Sequence, residues 1–517
     1  MHRYFRHFGS LLFVNKNCFQ VSKLLACILL SLALSVSALA QNAMLHVSVK
    51  NFKGSISFFD PSFSYELTKK KFNNFLLDKQ GSASYTMLTD QPSYFVLSFN
   101  SNDLFNYSLF LSPGDELFLT ADFAKKDHQV TVTGRGSSNN QPEIFALTNM
   151  NLYQFNGDKT PERVIAAIHK QYLLNKSLLA NYIKVNKPSA AFVRNATLNL
   201  NYFAPANYYE FSHNNNLFKS KQELQPWQKI QDSLFATIKL SNDEALNTYN
   251  YTKLVDNFVF REPEALRIQK DYEIHPTQFY QQWYRASPAQ GRKLFNGSQL
   301  GILNNLVIDK YFSGKAAEYA FAQTVKYEYF KADYPYVMLV YDHFKKEFPS
   351  STYIKGFSPA IAEVVSKQQQ VYNSTAVFVK DNGAKLNTLQ DLLKLTKGKV
   401  AFVDMWGTWC TPCRQEIEKN AKKLEAHFKG KNVNFIYVAN MDIGREQEWK
   451  KAIAYFQIGG MQVLANSALT KDIMDKVKST GYPTYLIINK DGTYRRTSTQ
   501  LPVNVPTLIK EIEVANL

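Results

Sequence analysis

Cysteine is scarce in this chain, with only 4 among 517 residues, and its placement is uneven. Cys18 and Cys27 lie in the first 40 residues, and beyond them only Cys410 and Cys413 remain. One pair cannot build a framework of several disulfides, so a small cross-linked scaffold is excluded. A zinc site would need two more ligands, yet beyond residue 40 no two histidines lie within five residues of each other. We therefore expect no metal, and we interpret the remaining cysteine pair as catalytic rather than structural.

Acidic residues are also in short supply, since 43 Asp and Glu face 60 Lys and Arg for a net charge of +17. The basic residues are scattered along the chain, which argues against a nucleic-acid partner. A solvated basic surface is the expectation, and it would favour acidic partners or an anionic membrane face in a salt-dependent way. The 45% hydrophobic and 14% aromatic content indicates a folded protein, and the length suits about three domains.

Residues 1–40 show the three parts of a secretory signal. Four basic residues and no acid precede an uncharged apolar run from Leu24, and Ala38-Leu39-Ala40 matches a cleavage site before Gln41. We therefore expect residues 1–40 to be a cleaved signal peptide and the chain to be exported. The run Leu24–Ala40 has 17 uncharged residues, so an uncleaved membrane anchor is the alternative.

Residues 41–138 read as short strands separated by turn residues, with Pro113-Gly114-Asp115 between two of them. The pattern predicts an antiparallel β-sandwich, which would be either a docking module or a spacer. Residues 139–371 turn helical from Thr160-Pro161, an N-cap followed by proline at the first helical position. Their many Tyr and Phe residues are interpreted as packing residues of a helical domain rather than as the lining of a groove.

Residues 372–517 alternate between helices and strands and end in a hairpin and a helix. Thr388 and Asp391 have the spacing of a capping box. The predicted helices are Leu389–Leu395, Glu446–Phe456, Lys471–Lys478 and Pro506–Ala515, and the predicted strands include Val400–Asp404, Asn434–Ala439, Tyr485–Asn489 and Thr493–Ser498. Such an order predicts a mixed α/β sheet covered on both faces.

The pair Cys410 and Cys413 stands where a buried strand and a Trp-rich turn lead into a helical pattern. A cysteine at a helix N-terminus meets free backbone N–H groups and the positive end of the helix dipole, which favour the thiolate. Cys410 is therefore predicted to be the nucleophile. Cys413, one turn into the helix, is predicted to be more enclosed and to be the resolving thiol. Pro412 suits the first helical turn, where its missing N–H costs nothing.

This region resembles the thioredoxin superfamily, and Trp409-Cys410-Thr411-Pro412-Cys413 followed by Glu416 resembles its TlpA/ResA-type branch. Asp404 and Gly481-Tyr482-Pro483-Thr484 match the buried acid and the cis-proline loop of that family. The resemblance implies a C-terminal thioredoxin fold within a multidomain chain and a disulfide-exchange activity without a cofactor. It implies catalytic roles for Cys410, Cys413, Asp404 and Glu416, and substrate contacts by Trp409, Thr411, Pro412, Tyr482 and Pro483.

The resemblance also implies a direction and partners. We expect a disulfide reductase of the periplasm or cell envelope that acts on protein disulfides, is recharged by a membrane thiol donor and serves cell redox homeostasis, including cytochrome c maturation. A peroxidase is disfavoured because Gly407 stands where its motif needs threonine. A redox-inert binding or scaffold protein that kept the thioredoxin fold is the alternative.

Overall fold

The computed structural model describes residues 42–59, 73–89, 91–100, 104–142, 150–214, 221–268, 270–297, 301–331, 334–499 and 501–517. The predicted signal peptide and its alternative, the anchor Leu24–Ala40, lie outside these residues. The described chain forms two compact units. The first contains the described residues up to 151 together with 167–201, and the second contains 152–166 and 202–517.

The first unit is built on strands. They are β1 (Asn42–Lys50), β2 (Ser55–Phe59), β3 (Asn73–Phe75), β4 (Ser82–Leu88), β5 (Ser93–Asn100), β6 (Leu104–Leu111), β7 (Glu116–Asp122) and β8 (Thr131–Arg135). In the described part they form two four-stranded sheets, ordered β4-β1-β7-β8 and β3-β2-β5-β6. Apolar residues from both sheets, including Leu45, Phe99 and Leu119, share one core.

The expectation that these strands pair only in antiparallel fashion is wrong at one place. β1 and β7 are parallel, with Leu45 opposite Leu117 and Val47 opposite Leu119. A two-residue hairpin joins only antiparallel neighbours, whereas parallel neighbours need a long connection. The intervening strands β2–β6 supply that connection.

The middle of the chain is helical, as the sequence predicts. Its helices are Pro161–Asn186, Ala190–Asn201, Phe203–Asn214, Lys221–Phe235, Tyr249–Ile268, Asp271–Ile274, Pro276–Tyr284, Pro288–Gly297, Gly301–Tyr311, Gly314–Phe330, Tyr334–Glu347 and Thr352–Gln368. Aromatic side chains such as Tyr209, Tyr251 and Phe321 are fully buried in its core. The packing interpretation of the aromatics is therefore confirmed for these residues.

The C-terminal part contains a six-stranded mixed sheet ordered β14-β13-β10-β11-β12-β9. Its strands are β9 (Ala376–Phe378), β10 (Val400–Trp406), β11 (Val433–Ala439), β12 (Gly460–Leu464), β13 (Thr484–Ile488) and β14 (Tyr494–Arg496). Its helices are Leu389–Thr396, Thr411–Glu416, a π-helical turn Ile417–Ala421, Lys422–His427, Glu446–Phe456, Ser467–Lys476 and Val505–Asn516. The predicted capping box of Thr388 and Asp391 is present.

Both faces of this sheet carry buried side chains. Successive residues of a strand point to opposite faces, so β10 contributes to two core clusters. Ala401, Val403 and Met405 of β10 belong to one core cluster. Phe402 and Trp406 belong to the other, together with Cys410 and Cys413. The second cluster also contains Tyr334 and Val364 from the last two helices of the middle region.

None of the helices in the described residues combines the length and the apolar character that crossing a membrane requires.

Candidate functional site

The cysteine motif lies between the central strand β10 and a helix. Every residue of β10 is buried, and the chain leaves it at Trp406. The helix Thr411–Glu416 then begins with Cys410 as its N-cap and Pro412 in the first turn. We call Thr411–Glu416 the active-site helix. The predicted strand, turn and helix are thus observed, and Cys410 stands at the helix N-terminus.

Cys410 and Cys413 form a disulfide, with their Cα atoms 5.3 Å apart. The backbone N–H of Cys413 donates a hydrogen bond to Sγ of Cys410 over 3.3 Å. Cys410 is 3% exposed and Cys413 is 1% exposed. In this oxidised form the two sulfurs therefore differ little in access, and the expected difference in enclosure is not visible. What distinguishes them among the described contacts is the hydrogen bond at the helix N-terminus, which Sγ of Cys410 accepts.

Asp404 lies on β10 on the face that carries the cysteine cluster, because it is two positions from both Phe402 and Trp406, and residues two apart on a strand share a face. It is in register with Tyr437 of β11 and Tyr485 of β13. It is 4% exposed, and its Oδ1 is buried without a hydrogen-bond partner among the described residues. Burial, with a smaller contribution from the charge of Glu416, raises the pKa of Asp404 to about 8. A carboxyl group with this pKa can take up a proton near neutral pH.

Glu416 lies at the end of the active-site helix and is half-buried. Its Oε2 accepts a hydrogen bond of 2.6 Å from Nδ2 of Asn420. The charge of Glu416 contributes to the raised pKa of Asp404. The pKa of Tyr485 is also raised, first by burial, then by the charge of Asp404, and least by the charge of Glu416. The structure therefore brings Glu416 into the electrostatic environment of Asp404.

The predicted proline loop contains a cis peptide bond between Tyr482 and Pro483. The ring of Tyr482 meets that of Trp409 edge to face, with centroids 5.4 Å apart. Trp409 is 40% exposed, and its Nε1 donates to the carbonyl of Asn440 over 2.8 Å. The proline loop and the cysteine motif thus meet through two aromatic rings, and one of these rings is open to solvent.

Two polar residues of the site were missed from the sequence. Asp442 accepts hydrogen bonds from the backbone N–H of Thr408 over 2.8 Å and from its Oγ1 over 2.5 Å. Asn440 donates from Nδ2 to the carbonyl of Trp406 over 2.8 Å. Burial raises the pKa of Asp442, while its bonds to Thr408 lower it. Asn440 follows β11 directly and Asp442 lies two residues further on. Polar residues at the carboxyl ends of neighbouring parallel strands are the signal that could have identified them.

Arg414 was also missed, although it follows Cys413 directly. Its side chain is buried and donates to the carbonyl of Thr408, to the carbonyl of Lys331 over 3.1 Å, and to Oγ1 of Thr411 over 3.2 Å. Thr411 and Pro412 are themselves half-buried. The sequence gives no signal for the contact with Lys331, which lies 83 positions earlier.

Within the part of the chain that the structure describes, no group of three or more His, Cys, Asp or Glu side chains could hold a metal ion.

Comparison with known proteins identifies the family to which the C-terminal region belongs. A family model described as thioredoxin-like matches residues 398–494. The thiol-disulfide oxidoreductase ResA of Bacillus subtilis is 30% identical over 115 residues, which cover 22% of this chain and 58% of that protein. Thioredoxin 1 of Chlorobaculum tepidum is 31% identical over 77 residues, which cover 15% of this chain and 67% of that protein. Through its C-terminal region, the chain belongs to the thioredoxin-like family.

A solved structure also matches this region. The thioredoxin domain of a thiol-disulfide oxidoreductase from Bacteroides vulgatus is 26% identical, with a TM-score of 0.21, and the match covers 23% of this chain and 84% of that one. The chain spans 58% of the length of ResA.

Proposed function

We propose that this chain is an exported thiol-disulfide oxidoreductase that reduces protein disulfides through Cys410 and Cys413, with residues 372–517 as its redox domain. One observation carries the proposal. Sγ of Cys410 lies at the N-terminus of the active-site helix, accepts a hydrogen bond from the N–H of Cys413 and is bonded to the sulfur of Cys413. A sulfur in this position favours the thiolate, and a partner in this position can close the disulfide.

The first step is attack by the Cys410 thiolate on one sulfur of a substrate disulfide. A new S–S bond forms between Cys410 and that sulfur, the substrate S–S bond breaks, and the other substrate sulfur leaves as a thiolate that takes a proton from water. The N–H of Cys413, which donates to Sγ of Cys410 in the oxidised form, supports the negative charge of Cys410 before attack.

The second step releases the substrate. Cys413 gives its proton to the carboxylate of Asp404, and its thiolate attacks Sγ of Cys410. The mixed disulfide breaks, and the second substrate sulfur leaves and is protonated. Two electrons have then passed to the substrate, and the chain holds the Cys410–Cys413 disulfide. The pKa of Asp404 supports this role, because burial and, to a smaller extent, the charge of Glu416 raise it to about 8.

Substrate contact is assigned to the surface around the sulfurs. The exposed ring of Trp409, the ring of Tyr482 beside it and the loop at Pro483 form one side. Thr411 and Pro412, which stand between the two cysteines in the sequence, are proposed to complete this surface. An extended polypeptide would pair with the backbone of Tyr482 in the manner of an added strand.

The source of electrons is proposed to be a membrane thiol donor, because each turnover leaves the pair oxidised. The signal-like residues 1–40 support export to the periplasm or cell envelope, where disulfides persist. Cysteine pairs of exported proteins, including those of cytochromes c before haem attachment, are the proposed substrates.

The proposal is tested by insulin reduction with dithiothreitol as electron donor, using the wild type and the variants Cys410→Ser and Cys413→Ser. The wild type should accelerate precipitation of the insulin B chain, and Cys410→Ser should not. Cys413→Ser should accumulate mixed disulfides because its second step is blocked. A wild type without activity, whose pair stays oxidised in dithiothreitol, would favour a redox-inert binding or scaffold protein instead.

A further inference from the structure

The guanidinium group of Arg414 contacts residues on both sides of Cys410. It donates to the carbonyl of Thr408, two residues before this cysteine, and to Oγ1 of Thr411, one residue after it. Arg414 is only 4% exposed, so its charge acts through a medium that screens it less than water does. A buried positive charge thus lies beside the segment that holds the predicted nucleophile.

The same guanidinium group contacts the end of a helix in the middle region. Nη2 of Arg414 donates to the carbonyl of Lys331, the C-cap of the helix Gly314–Phe330. Nε2 of Gln415 donates to the carbonyl of Phe330 over 2.8 Å. The last carbonyl groups of a helix lack intrahelical donors and carry its negative dipole end, so a cation there is favourable. The negative end of the helix Gly314–Phe330 and the positive side chain of Arg414 are therefore complementary in charge.

Thr408 is fixed from two directions. Its N–H and Oγ1 donate to Asp442, and its carbonyl accepts from Arg414. Every hydrogen-bonding group of Thr408 is therefore engaged, two residues before Cys410. Of these contacts, only the one through Arg414 also reaches the helix Gly314–Phe330.

We propose that Arg414 is a positioning residue that joins the loop before Cys410 to the end of the helix Gly314–Phe330, so that the middle region sets the reactivity of the redox pair. This inference rests on the proposed function. We assign Arg414 no part in the bond exchange itself. It acts by fixing Thr408 and by placing its charge beside Cys410.

The experiment compares the full-length wild type with Arg414→Lys, Arg414→Met and the control Gln415→Ala. Lys keeps the charge but loses the planar group that reaches several acceptors at once, whereas Met removes the charge as well. Gln415→Ala removes a hydrogen bond to the same helix end without touching Thr408. Mass spectrometry follows iodoacetamide labelling of Cys410 from pH 5 to 9, a glutathione equilibrium gives the reduction potential, and calorimetry gives the Tm.

We expect Arg414→Met to slow labelling of Cys410 at pH 6 by about tenfold, which corresponds to a midpoint about one pH unit higher. Arg414→Lys should show a smaller shift in the same direction, and Gln415→Ala should match the wild type in labelling and potential. A labelling profile and potential equal to those of the wild type in both Arg414 variants would overturn the inference, even if the Tm falls. Failure of both variants to fold would overturn it too, since Arg414 would then be required for folding. A wild-type pair that cannot be reduced would instead contradict the proposed function.

Discussion

The backbone N–H of Cys413 donates a hydrogen bond to Sγ of Cys410 over 3.3 Å, so one cysteine supplies the donor that supports the charge of the other. The donor is a main-chain group in the first turn of the active-site helix, and it does not depend on any side chain. This contact distinguishes the two sulfurs although both are almost completely buried in the disulfide form.

Asp404→Asn should slow the resolving step, because Cys413 then loses its proton acceptor. In the wild type the rate of this step should rise with pH through about 8, the raised pKa of Asp404. The variant should lack that rise. Stopped-flow measurement of mixed-disulfide resolution from pH 6 to 9 checks this, and identical profiles for the two proteins would leave Asp404 with a structural role only.

Asp404→Asn should also change how the free energy of unfolding depends on pH, and this effect is a control for the kinetic prediction. The pKa of Asp404 is raised from 3.8 to about 8 on folding, so between these values the native state holds a proton that the unfolded state has lost. The free energy of unfolding of the wild type should therefore fall as pH rises through this window. Asp404→Asn should lack this fall and should be more stable at pH 7 by at least about 1 kcal/mol, as measured by urea unfolding.

The C-terminal fold was predictable because its signals are local. The capping box at Thr388, the helix Glu446–Phe456 and the strand before the cysteines all follow from short patterns. β12 was missed because Gly459 and Gly460 at its start are typical of a turn, and β9 because it has only three residues.

The missed parts of the site depend on contacts between distant positions. Asp442 and Arg414 make these contacts only because the fold brings Thr408 and Lys331 beside them. Asp404 was found because it stands on the strand that leads directly to the motif, at a position that matches the family pattern.

Gly407→Ala should disturb the turn before the cysteines. A Cβ at residue 407 would lie 2.4 Å from Nε1 of Trp409 and 2.9 Å from the carbonyl of Asn440, which are hydrogen-bonded to each other. We expect a loss of about 1–3 kcal/mol in the free energy of unfolding from this overpacking. Gly481→Ala is the matched control, because a Cβ there meets nothing within 4 Å. Equal unfolding midpoints in urea for the two variants would contradict the prediction.

Trp409→Ala should weaken substrate binding more than it slows the chemistry. The ring is 40% exposed and lies against Tyr482. Loss of an aromatic contact of about 0.5–1.5 kcal/mol predicts a KM for insulin that is higher by a factor of about 2 to 13 at similar kcat. Tyr372→Ala, which removes a ring of similar exposure that packs against Phe378, should leave both constants unchanged. A kcat that falls at constant KM would assign Trp409 to the chemical step.

The chain should be exported and should begin at Gln41 once its signal is removed. N-terminal sequencing of protein recovered from the cell envelope checks this, because the cleavage pattern ends at Ala40. Material that begins at Met1 and sediments with membranes would support the anchor Leu24–Ala40 instead.

The order in which the two reduced cysteines are alkylated shows directly whether Cys410 is the nucleophile. A brief iodoacetamide pulse at pH 7, followed by peptide mass spectrometry, reports the label on each sulfur. Cys410, at the helix N-terminus and hydrogen-bonded by the N–H of Cys413, should be labelled first. Faster labelling of Cys413 would show that the nucleophile has been assigned to the wrong residue.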